Sequence, residues 1–258
     1  MFKAFFETYN KYKYLLRNLI SREFKVKYRR SFLGVAWSML NPILMMLILS
    51  AVFSNVFRIN PLYIMTGQTL YMFFNEATTS ANFSIVNSAQ LVKKVYIPKY
   101  IFPIEKVLFA FINSLFSMIA IFAMMLIFKN PFSWKMLLFP VPLLALLIFS
   151  MGFGLLLSAL CVFFRDLKHL YSIIVYAWMY LTPIIYPIEM VSESWIRYVV
   201  YVNPMTWYVE YFRVLVINQP SFIPMLQMNL LCFGWAIVML VVGLLFFRKT
   251  QDRFILHI

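Results

Sequence analysis

Charged side chains are scarce in this sequence. Only 12% of its 258 residues are Asp, Glu, Lys or Arg, whereas 63% are hydrophobic and the mean hydropathy is +0.81. Because a soluble globular domain is about half apolar and about a quarter charged, this composition excludes a water-soluble globule. It also excludes an intrinsically disordered chain, which would be poor in apolar side chains. The composition therefore indicates a membrane protein.

Groups that support disulfide, metal or hydrolytic chemistry are equally few. Both cysteines, Cys161 and Cys232, lie in apolar runs, so small apolar packing residues are favoured over a disulfide or a metal site. The two histidines, His169 and His257, are far apart in the sequence. The phosphate-binding motif G-x-x-x-x-G-K-[ST] is absent, and the acidic residues do not cluster as a membrane-embedded transferase would require. We therefore expect no catalytic residue, no metal and no cofactor in this chain.

Long apolar runs, in contrast, are numerous. About 20 apolar residues are enough for a helix to cross the hydrocarbon core of a bilayer. The segments that meet this length are 33–57, 62–88, 107–128, 136–164, 170–188 and 224–247. The sequence therefore predicts an all-α polytopic membrane protein with six transmembrane helices. We expect a single domain over residues 1–258, made of a cytoplasmic segment (1–32), the six-span bundle (33–247) and a cytoplasmic tail (248–258).

The excess of basic residues follows the predicted spans. The 23 Lys and Arg residues outnumber the 9 Asp and Glu residues, which gives a net charge of +14. One side of the membrane would carry nine cations before the first span, four after the second, two after the fourth and three after the sixth. The other side would carry five. The positive-inside rule then places both termini in the cytoplasm, and the basic surface indicates anionic lipid rather than nucleic acid as its partner.

The segment before the first span predicts an amphipathic helix. Phe5, Tyr9, Tyr12, Leu16 and Leu19 recur at helical spacing, and basic side chains occupy the opposite face. Such a helix beside a span is expected to lie in the cytoplasmic interface. It would serve either as a simple anchor or as a surface that receives a partner.

Polar side chains distinguish the second predicted span. One helical stripe carries Gln68, Asn75, Thr79 and Asn82, and Glu76 lies on a neighbouring stripe. Because polar groups that face lipid are costly, this helix must face other helices or water. Hydrogen bonding between helices and the lining of a polar pathway both remain open. No basic residue is expected at the same depth in the membrane as Glu76. Glu76 would therefore be protonated, hydrated in a cavity, or held by amides and hydroxyls.

The fourth predicted span carries a stripe of small residues. Ser150, Gly154 and Ser158 recur at intervals of four and so share one face of the helix. Such a stripe lets another helix approach closely. Packing within the chain is favoured over a subunit contact.

The segment 189–223, before the last span, is too apolar for an ordinary loop. Asn203 and Pro204 are typical of a helix start, and Glu210 and Arg213 are spaced for pairing. We expect two short re-entrant helices that dip into the outer leaflet and return.

Four segments, in this order, resemble one family. They are 28–37 followed by Asn41 and Pro42, 91–98 followed by Pro103, 164–169, and 203–213. Together they resemble the permease subunits of ATP-binding-cassette polysaccharide exporters, which move O-antigen, capsule or teichoic-acid polymers across the bacterial plasma membrane. The resemblance covers essentially the whole chain.

The resemblance implies partners and roles. It implies a homodimer with two copies of a separate ATPase, which would bind ATP and Mg²⁺, and a polysaccharide substrate on a lipid-pyrophosphate carrier. The amphipathic segment through Arg30 would be an interface helix. The ATPase would contact the coupling segment, which is Gln90, Leu91, Val92, Lys93, Lys94, Val95, Tyr96, Ile97 and Pro98. Outer gate helices would include Trp195, Asn203, Pro204, Glu210 and Arg213.

The chemistry of sugars suggests which residues would line the pathway. A sugar is polar at its rim and weakly apolar on its ring faces, so amides, hydroxyls and aromatic planes suit it. The candidates are Gln68, Asn75, Glu76, Thr79 and Asn82 on the second span and Tyr176, Trp178 and Tyr180 on the fifth. At the cytoplasmic entrance, Arg29, Arg30, Lys93 and Lys94 would attract a carrier pyrophosphate, although positive-inside topology alone also accounts for them.

Other functions are compatible with parts of the pattern. A drug or small-lipid exporter on the same scaffold would need fewer amides in the second span. A membrane-embedded glycosyl or phosphoryl transferase would need clustered acids or a metal site. A receptor or scaffold would not need polar side chains in the middle of a span. Polysaccharide export is therefore the preferred prediction.

Overall fold

The computed structural model describes residues 2–27, 34–37, 40, 43–45, 47–48, 51–52, 59–94, 97–191 and 195–257. Most of the first predicted span (33–57) lies outside the described residues. So do Arg29, Arg30, Val95 and Tyr96, together with the Asn41-Pro42 step.

All secondary structure in the described part of the chain is helical. The helices of six residues or more are α1 (Phe2–Lys27), α2 (Pro61–Asn82), α3 (Ala89–Lys94), α4 (Ile101–Ile127), α5 (Pro140–Phe163), α6 (Leu167–Tyr180), α7 (Ile196–Val202), α8 (Pro204–Val216) and α9 (Met225–Thr250). Single helical turns precede α5, at Trp134–Leu138, and follow α9, at Gln251–Arg253 and Phe254–His257.

Three of the described helices are long and apolar enough to cross a bilayer. They are α4, α5 with the turn before it (Trp134–Phe163), and α9 with its continuation (Met225–His257). They correspond to the predicted spans 107–128, 136–164 and 224–247. Pro140 lies in the first turn of α5, where a helix does not need the N–H that proline lacks.

The fifth predicted span is shorter as a helix than its apolar run. The prediction of a helix over 170–188 is wrong in its last third, because α6 ends at Tyr180 and residues 181–187 are not helical. Pro183 explains the end, since it disfavours helical geometry at Thr182 and cannot donate a hydrogen bond to the preceding turn. The carbonyl groups that follow Tyr180 need partners from elsewhere in the chain.

Close backbone contacts hold the long helices together. A Cβ atom built on Gly243 of α9 would lie 2.1 Å from the carbonyl oxygen of Gly152 on α5, so the crossing of these helices admits no side chain. The predicted small-residue stripe packs within the chain, because a Cβ on Gly154 would lie 2.9 Å from the Cβ of Ala81 on α2. Cys161 and Cys232 are free and buried.

The bundle has two chemically different ends. At the basic end, the C-terminal ends of α2, α5 and α9 meet the N-terminal ends of α4 and α6. The exposed cations there are Lys93, Lys94, Arg165, Lys168, Arg248, Lys249 and Arg253. The opposite end contains the first turn of α2, the segment after α6, and the short helices α7 and α8.

Candidate functional site

Arg213 on α8 is the centre of a buried polar cluster at the opposite end of the bundle. Its side chain is 0% exposed. Its Nη1 donates to the carbonyl oxygen of Pro183 and to Oε1 of Glu210, each at 2.7 Å. Its Nη2 donates to the carbonyl oxygens of Tyr63 (3.0 Å) and Ile184 (3.1 Å), and its Nε donates to that of Tyr63 (3.2 Å). We call this set the Arg213 centre.

The Arg213 centre supplies the donors that the end of α6 needs. Guanidinium is the side chain with the most N–H donors, and its planar form suits several acceptors at once. Because Pro183 and Ile184 lie beyond the last helical turn, their carbonyls have no helical N–H to accept from. An unsatisfied carbonyl inside a membrane protein costs several kcal/mol. Arg213 therefore donates hydrogen bonds to the carbonyls of the segment after α6, and it joins this segment to α8 and α2.

Glu210 balances the charge of Arg213. The predicted pairing of these residues is confirmed, and the second carboxylate oxygen of Glu210 accepts from Nε2 of Gln219 at 3.1 Å. The Tyr63 ring lies 3.4 Å from the guanidinium carbon, so the cation is also covered by an aromatic face. Gly67 leaves room for this arrangement, because a Cβ there would lie 2.7 Å from Nη2. Sequence reasoning missed Gln219, Tyr63 and Gly67.

Asn203 forms a second connection at the same end. As predicted, it caps α8: its Oδ1 accepts from the backbone N of Met205 at 3.0 Å, and Pro204 is the first helical residue. The same Oδ1 accepts from Nε1 of Trp178 at 2.8 Å. Its Nδ2 donates to Oγ1 of Thr182 at 2.9 Å and to the carbonyl oxygen of Leu181 at 3.2 Å. Asn203 therefore also holds the end of α6, a role that no local pattern indicated.

The two helices predicted to form the outer gate differ in burial. Every residue of α8 from Met205 to Val216 is buried. In α7, by contrast, Val200 is the buried residue, and Trp195 just before the helix is 75% exposed. The structure therefore brings Asn203, Pro204, Glu210 and Arg213 together around α8, and it leaves Trp195 apart from them.

Glu76 on α2 is the centre of a second polar cluster, nearer the basic end. Its Oε1 lies 2.6 Å from Nζ of Lys27 on α1, and its Oε2 accepts from Nδ2 of Asn113 on α4 at 2.9 Å. The prediction that no basic residue reaches Glu76 is wrong, because α1 lies against the bundle and the flexible stem of Lys27 brings its ammonium to α2. Of the three alternatives for Glu76, the structure shows a contact with an amide, that of Asn113. We call this set the Glu76 centre.

The structure divides the predicted pathway residues of α2. Gln68 and Asn82 are buried, and their Oε1 and Oδ1 atoms lack a hydrogen-bond partner among the described residues. Thr79 is exposed and donates to Oδ1 of Asn75 at 3.0 Å. One accessible polar group thus consists of Asn75, Glu76 and Thr79. Gln68 and Asn82 do not belong to it, because their side chains are buried.

The predicted pathway residues of α6 are also divided. Tyr176 and Tyr180 are 62% and 65% exposed and share one face of the helix. Trp178 lies on the other side and packs against Phe74 and Phe153, with ring centroids 5.2 Å and 5.6 Å away. Trp178 therefore contributes to packing within this chain, whereas the two tyrosines are accessible to another molecule.

Hydroxyl groups join α2 to α6, which the sequence did not indicate. The Tyr171 hydroxyl donates to Oγ1 of Thr78 at 2.6 Å, and the Tyr71 hydroxyl donates to the carbonyl oxygen of Val175. Both tyrosines are buried. A buried hydroxyl that is paired fixes the relative position of two helices, because leaving it unpaired is costly. A tyrosine facing a polar stripe is the sequence signal that could have suggested these bonds.

The described part of the coupling segment is anchored at one residue and exposed at others. In α3, Val92 is buried, Leu91 is half-buried, and Gln90, Lys93 and Lys94 are exposed. Ile97 and Pro98 are half-buried. The basic side chains predicted for the carrier entrance, Lys93 and Lys94, are therefore accessible at the basic end.

Lys99 ties the end of the coupling segment to the C-terminal tail. Its Nζ donates to the carbonyl oxygen of Gln251 at 2.6 Å and lies 5.7 Å from the centre of the Phe254 ring. Burial lowers the pKa of the Lys99 ammonium, and the nearby carboxylate of Asp252 opposes this shift. Sequence reasoning missed this contact, which joins residues 152 positions apart.

Metal-binding groups are not clustered in the part of the chain that the structure describes. No three His, Cys, Asp or Glu side chains lie close enough together there to hold a metal ion. The two polar clusters are instead built from amides, hydroxyls, ion pairs and backbone carbonyls. Such groups can position helices and contact polar ligands.

Comparison with known proteins gives a consistent result. The family described as ABC-2 type transporter matches residues 14–217. An O-antigen export system permease protein RfbA from Klebsiella pneumoniae is 28% identical over 251 residues, which cover 93% of each chain, and another from the same species is 29% identical over 248 residues, also 93% of each. A protein of the same name from Myxococcus xanthus is 31% identical over 199 residues, which cover 75% of this chain and 76% of the relative.

Proposed function

The chain belongs to the ABC-2 type transporter family, and we propose that it is the permease subunit of an ATP-driven polysaccharide exporter. Its substrate would be a lipid-linked polymer of the O-antigen, capsule or teichoic-acid kind, moved from the cytoplasm across the bacterial plasma membrane. The observation that carries this proposal is the similarity to O-antigen export permeases over 93% of both chains.

The proposed topology has six spans and places the basic end in the cytoplasm. The three long apolar helices support it, and the cations exposed at the basic end agree with the positive-inside rule. Both termini would then be cytoplasmic, and α1 would be the interface helix. On the outer side, α7 and α8 would form the re-entrant gate, held to the end of α6 by Arg213 and Asn203.

The proposed assembly is a homodimer with two separate ATPase chains that bind ATP and Mg²⁺. The transport subunit itself needs no nucleotide site, which agrees with the absence of a phosphate-binding loop from its sequence. The exposed side chains Gln90, Lys93 and Lys94 of α3 would contact the ATPase, with Val92 as the anchor of α3 in the bundle. Arg29, Arg30, Lys93 and Lys94 would attract the carrier pyrophosphate by charge.

The proposed pathway uses aromatic faces and neutral polar groups. Tyr176 and Tyr180 offer exposed rings on which the apolar face of a sugar can stack, and their hydroxyls can bind its rim. Asn75 and Thr79 offer an amide and a hydroxyl. A polymer can slide over such groups because none of them is a fixed charge that would retain it. The second subunit would supply the other wall of the pathway.

Reconstitution tests this function directly. The chain is co-purified with its candidate ATPase and placed in vesicles, and ATP hydrolysis is measured with and without a lipid-linked glycan. We expect the glycan to stimulate hydrolysis and to reach the far side of the vesicle membrane. Stimulation by an apolar drug but not by any glycan would contradict the proposal and support a drug exporter. Turnover of a nucleotide-sugar by the chain alone would contradict it in favour of a transferase.

A pair of matched variants tests the position of the ATPase. The double variant Lys93→Gln/Lys94→Gln should weaken co-purification of the ATPase. The control Lys129→Gln/Lys135→Gln removes two exposed cations from the opposite end and should leave it unchanged. Equal loss of the ATPase in both variants would contradict the proposed contact.

A further inference from the structure

The last turns of α1 contact two helices of the bundle through three neighbouring residues. Oε1 of Glu23 lies 2.6 Å from Nζ of Lys106 on α4. The ring of Phe24 packs on that of Phe109, also on α4, with centroids 4.6 Å apart. Lys27 then reaches Glu76 on α2 at 2.6 Å. Since residues four apart share one face of a helix, Glu23 and Lys27 present a single docking face.

The charges on this face alternate, which makes the contact specific for one register. Position 23 is acidic and meets a base, whereas position 27 is basic and meets an acid. If α1 slid by one helical turn in one direction, Lys27 would take the place of Glu23 and face Lys106. In the other direction, Glu23 would take the place of Lys27 and face Glu76. Both shifts place like charges together, and like charges oppose contact.

Glu76 extends the contact to a third helix. While one of its oxygens meets Lys27, the other accepts from Asn113 on α4. One carboxylate therefore touches α1 and α4 from its own position on α2. It also lies beside Asn75 and one helical turn from Thr79, the two accessible polar residues of α2. A change in the position of α1 reaches this group directly, through the contact between Lys27 and Glu76.

The pair is accessible enough to separate and re-form. The side chains of Lys27 and Glu76 are 39% and 30% exposed, so this chain does not enclose either charge when they part. Ion pairs with this exposure contribute little to stability, whereas removing one partner of a fully buried pair leaves a costly unpaired charge. The contact therefore defines a preferred register for α1 without locking it.

We infer that Glu76 is a positioning residue: by holding Lys27 it sets the register of α1 on the bundle and transmits movement of α1 to α2 and α4. This inference rests on the proposed function, in which α1 is the interface helix of an ATP-driven exporter. In this role Glu76 acts through Lys27 and Asn113, and the sugar contacts belong to the neighbouring amide and hydroxyl.

The charge-removing variants Glu76→Gln and Lys27→Gln test the inference. Glu76→Gln keeps the shape of the side chain and an oxygen for Asn113, but it loses the ion pair. In reconstituted transporters, the number of ATP molecules hydrolysed per glycan delivered should rise several-fold. Co-purification of the ATPase and thermal stability should stay at the wild-type level. The control Lys25→Gln, which removes an exposed cation from the other face of α1, should leave all three readouts unchanged.

The charge-swap variant Lys27→Glu/Glu76→Lys makes the test specific for the pair. It restores opposite charges, and the Asn113 amide can turn to present its oxygen to the new ammonium. Because the swap leaves acidic residues at positions 23 and 27, a shifted α1 no longer meets like charges, so this variant should recover the ion pair but only part of the lost coupling. The Glu23 pair is less suitable for such a swap, because Lys106 also lies 3.7 Å from Glu105.

The outcomes separate the inference from the function on which it rests. Wild-type coupling in both single variants would overturn the inference. If the wild-type chain binds no ATPase or moves no glycan, the proposed function itself fails, before any variant is compared.

Discussion

The Arg213 centre and the Glu76 centre are built on ion pairs of nearly equal length, 2.7 Å and 2.6 Å, but they differ in accessibility. Arg213 and Glu210 have side chains that are 0% and 2% exposed, whereas Lys27 and Glu76 are 39% and 30% exposed. The distance between the charged atoms therefore does not show how much an ion pair contributes to stability. The surroundings decide whether the pair fixes two helices together or lets them separate.

Burial makes the Arg213 centre costly to disturb. Removing one member of a buried pair leaves an unpaired charge away from water, at a cost of about 3–5 kcal/mol, whereas an exposed pair contributes about 0–1 kcal/mol. In addition, Arg213 satisfies three backbone carbonyls. A rigid end opposite the basic end and a movable contact nearer the basic end follow from this comparison, and the variants below test it.

The largest expected effect is that of Arg213→Leu. The variant leaves Glu210 charged and buried and removes the donors for Tyr63, Pro183 and Ile184, so we expect a loss of about 3–5 kcal/mol of stability. Thermal unfolding of the purified chain in detergent measures it. The double variant Arg213→Leu/Glu210→Gln removes the orphaned charge and should be more stable than the single variant. If the double variant is no better, the cost arises from the carbonyls and not from Glu210.

Gly67→Ala should have the next largest effect. The new methyl group would lie 2.7 Å from Nη2 of Arg213, which cannot move aside because its hydrogen bonds hold it in place. We expect a loss of about 1–3 kcal/mol, as for overpacked cores. Gly234→Ala is the matched control, because nothing lies within 4 Å of its Cβ position and alanine favours a helix by up to about 1 kcal/mol. If the two variants changed the stability by the same amount and in the same direction, Gly67 would not be required for packing against Arg213.

Two variants of Asn203 should have intermediate effects. Asn203→Ala removes the cap of α8 and the bonds to Trp178 and Thr182, for an expected loss of about 1–2 kcal/mol. Asn203→Asp keeps the acceptor for Met205 and Trp178, loses the donor and adds a negative charge at the N-terminus of α8, where the helix dipole favours it, so it should be less harmful. Unfolding midpoints in the order wild type, aspartate, alanine would agree with both roles of Asn203. Equal midpoints for the two variants would show that the donor carries the whole effect.

The same contrast explains what could be predicted from the sequence. Glu210 and Arg213 lie three residues apart on one helix, and Asn203 directly precedes Pro204, so local rules identified both features. The partners of Glu76 are 49 and 37 residues away from it, and no local pattern relates them. Contacts between helices depend on how the helices pack, and the packing of helices cannot be predicted from local patterns in a single sequence.

The prediction of spans succeeded where the length of an apolar run is enough to identify a helix. The long apolar runs around α4, α5 and α9 became helices of the expected extent. The run at 170–188 did not, because apolar composition continues through Pro183 whereas helical geometry stops before it. The pathway residues stay a prediction for a related reason: Tyr176 and Tyr180 lie on the surface of this chain, and a pathway between two subunits needs the second one.

The smallest expected effect is that of salt, and it separates the two centres without any mutation. The Debye length falls from about 30 Å at 0.01 M to about 3 Å at 1 M salt, so accessible ion pairs weaken while buried ones are little affected. Raising the salt concentration should therefore speed amide hydrogen exchange in residues 12–27 of α1 and leave α8 unchanged. In Lys27→Gln, exchange in α1 should already be fast and should respond less to salt. An equal response of α1 and α8 would contradict the distinction, because it would mean that the Arg213 centre is as open to ions as the Glu76 centre.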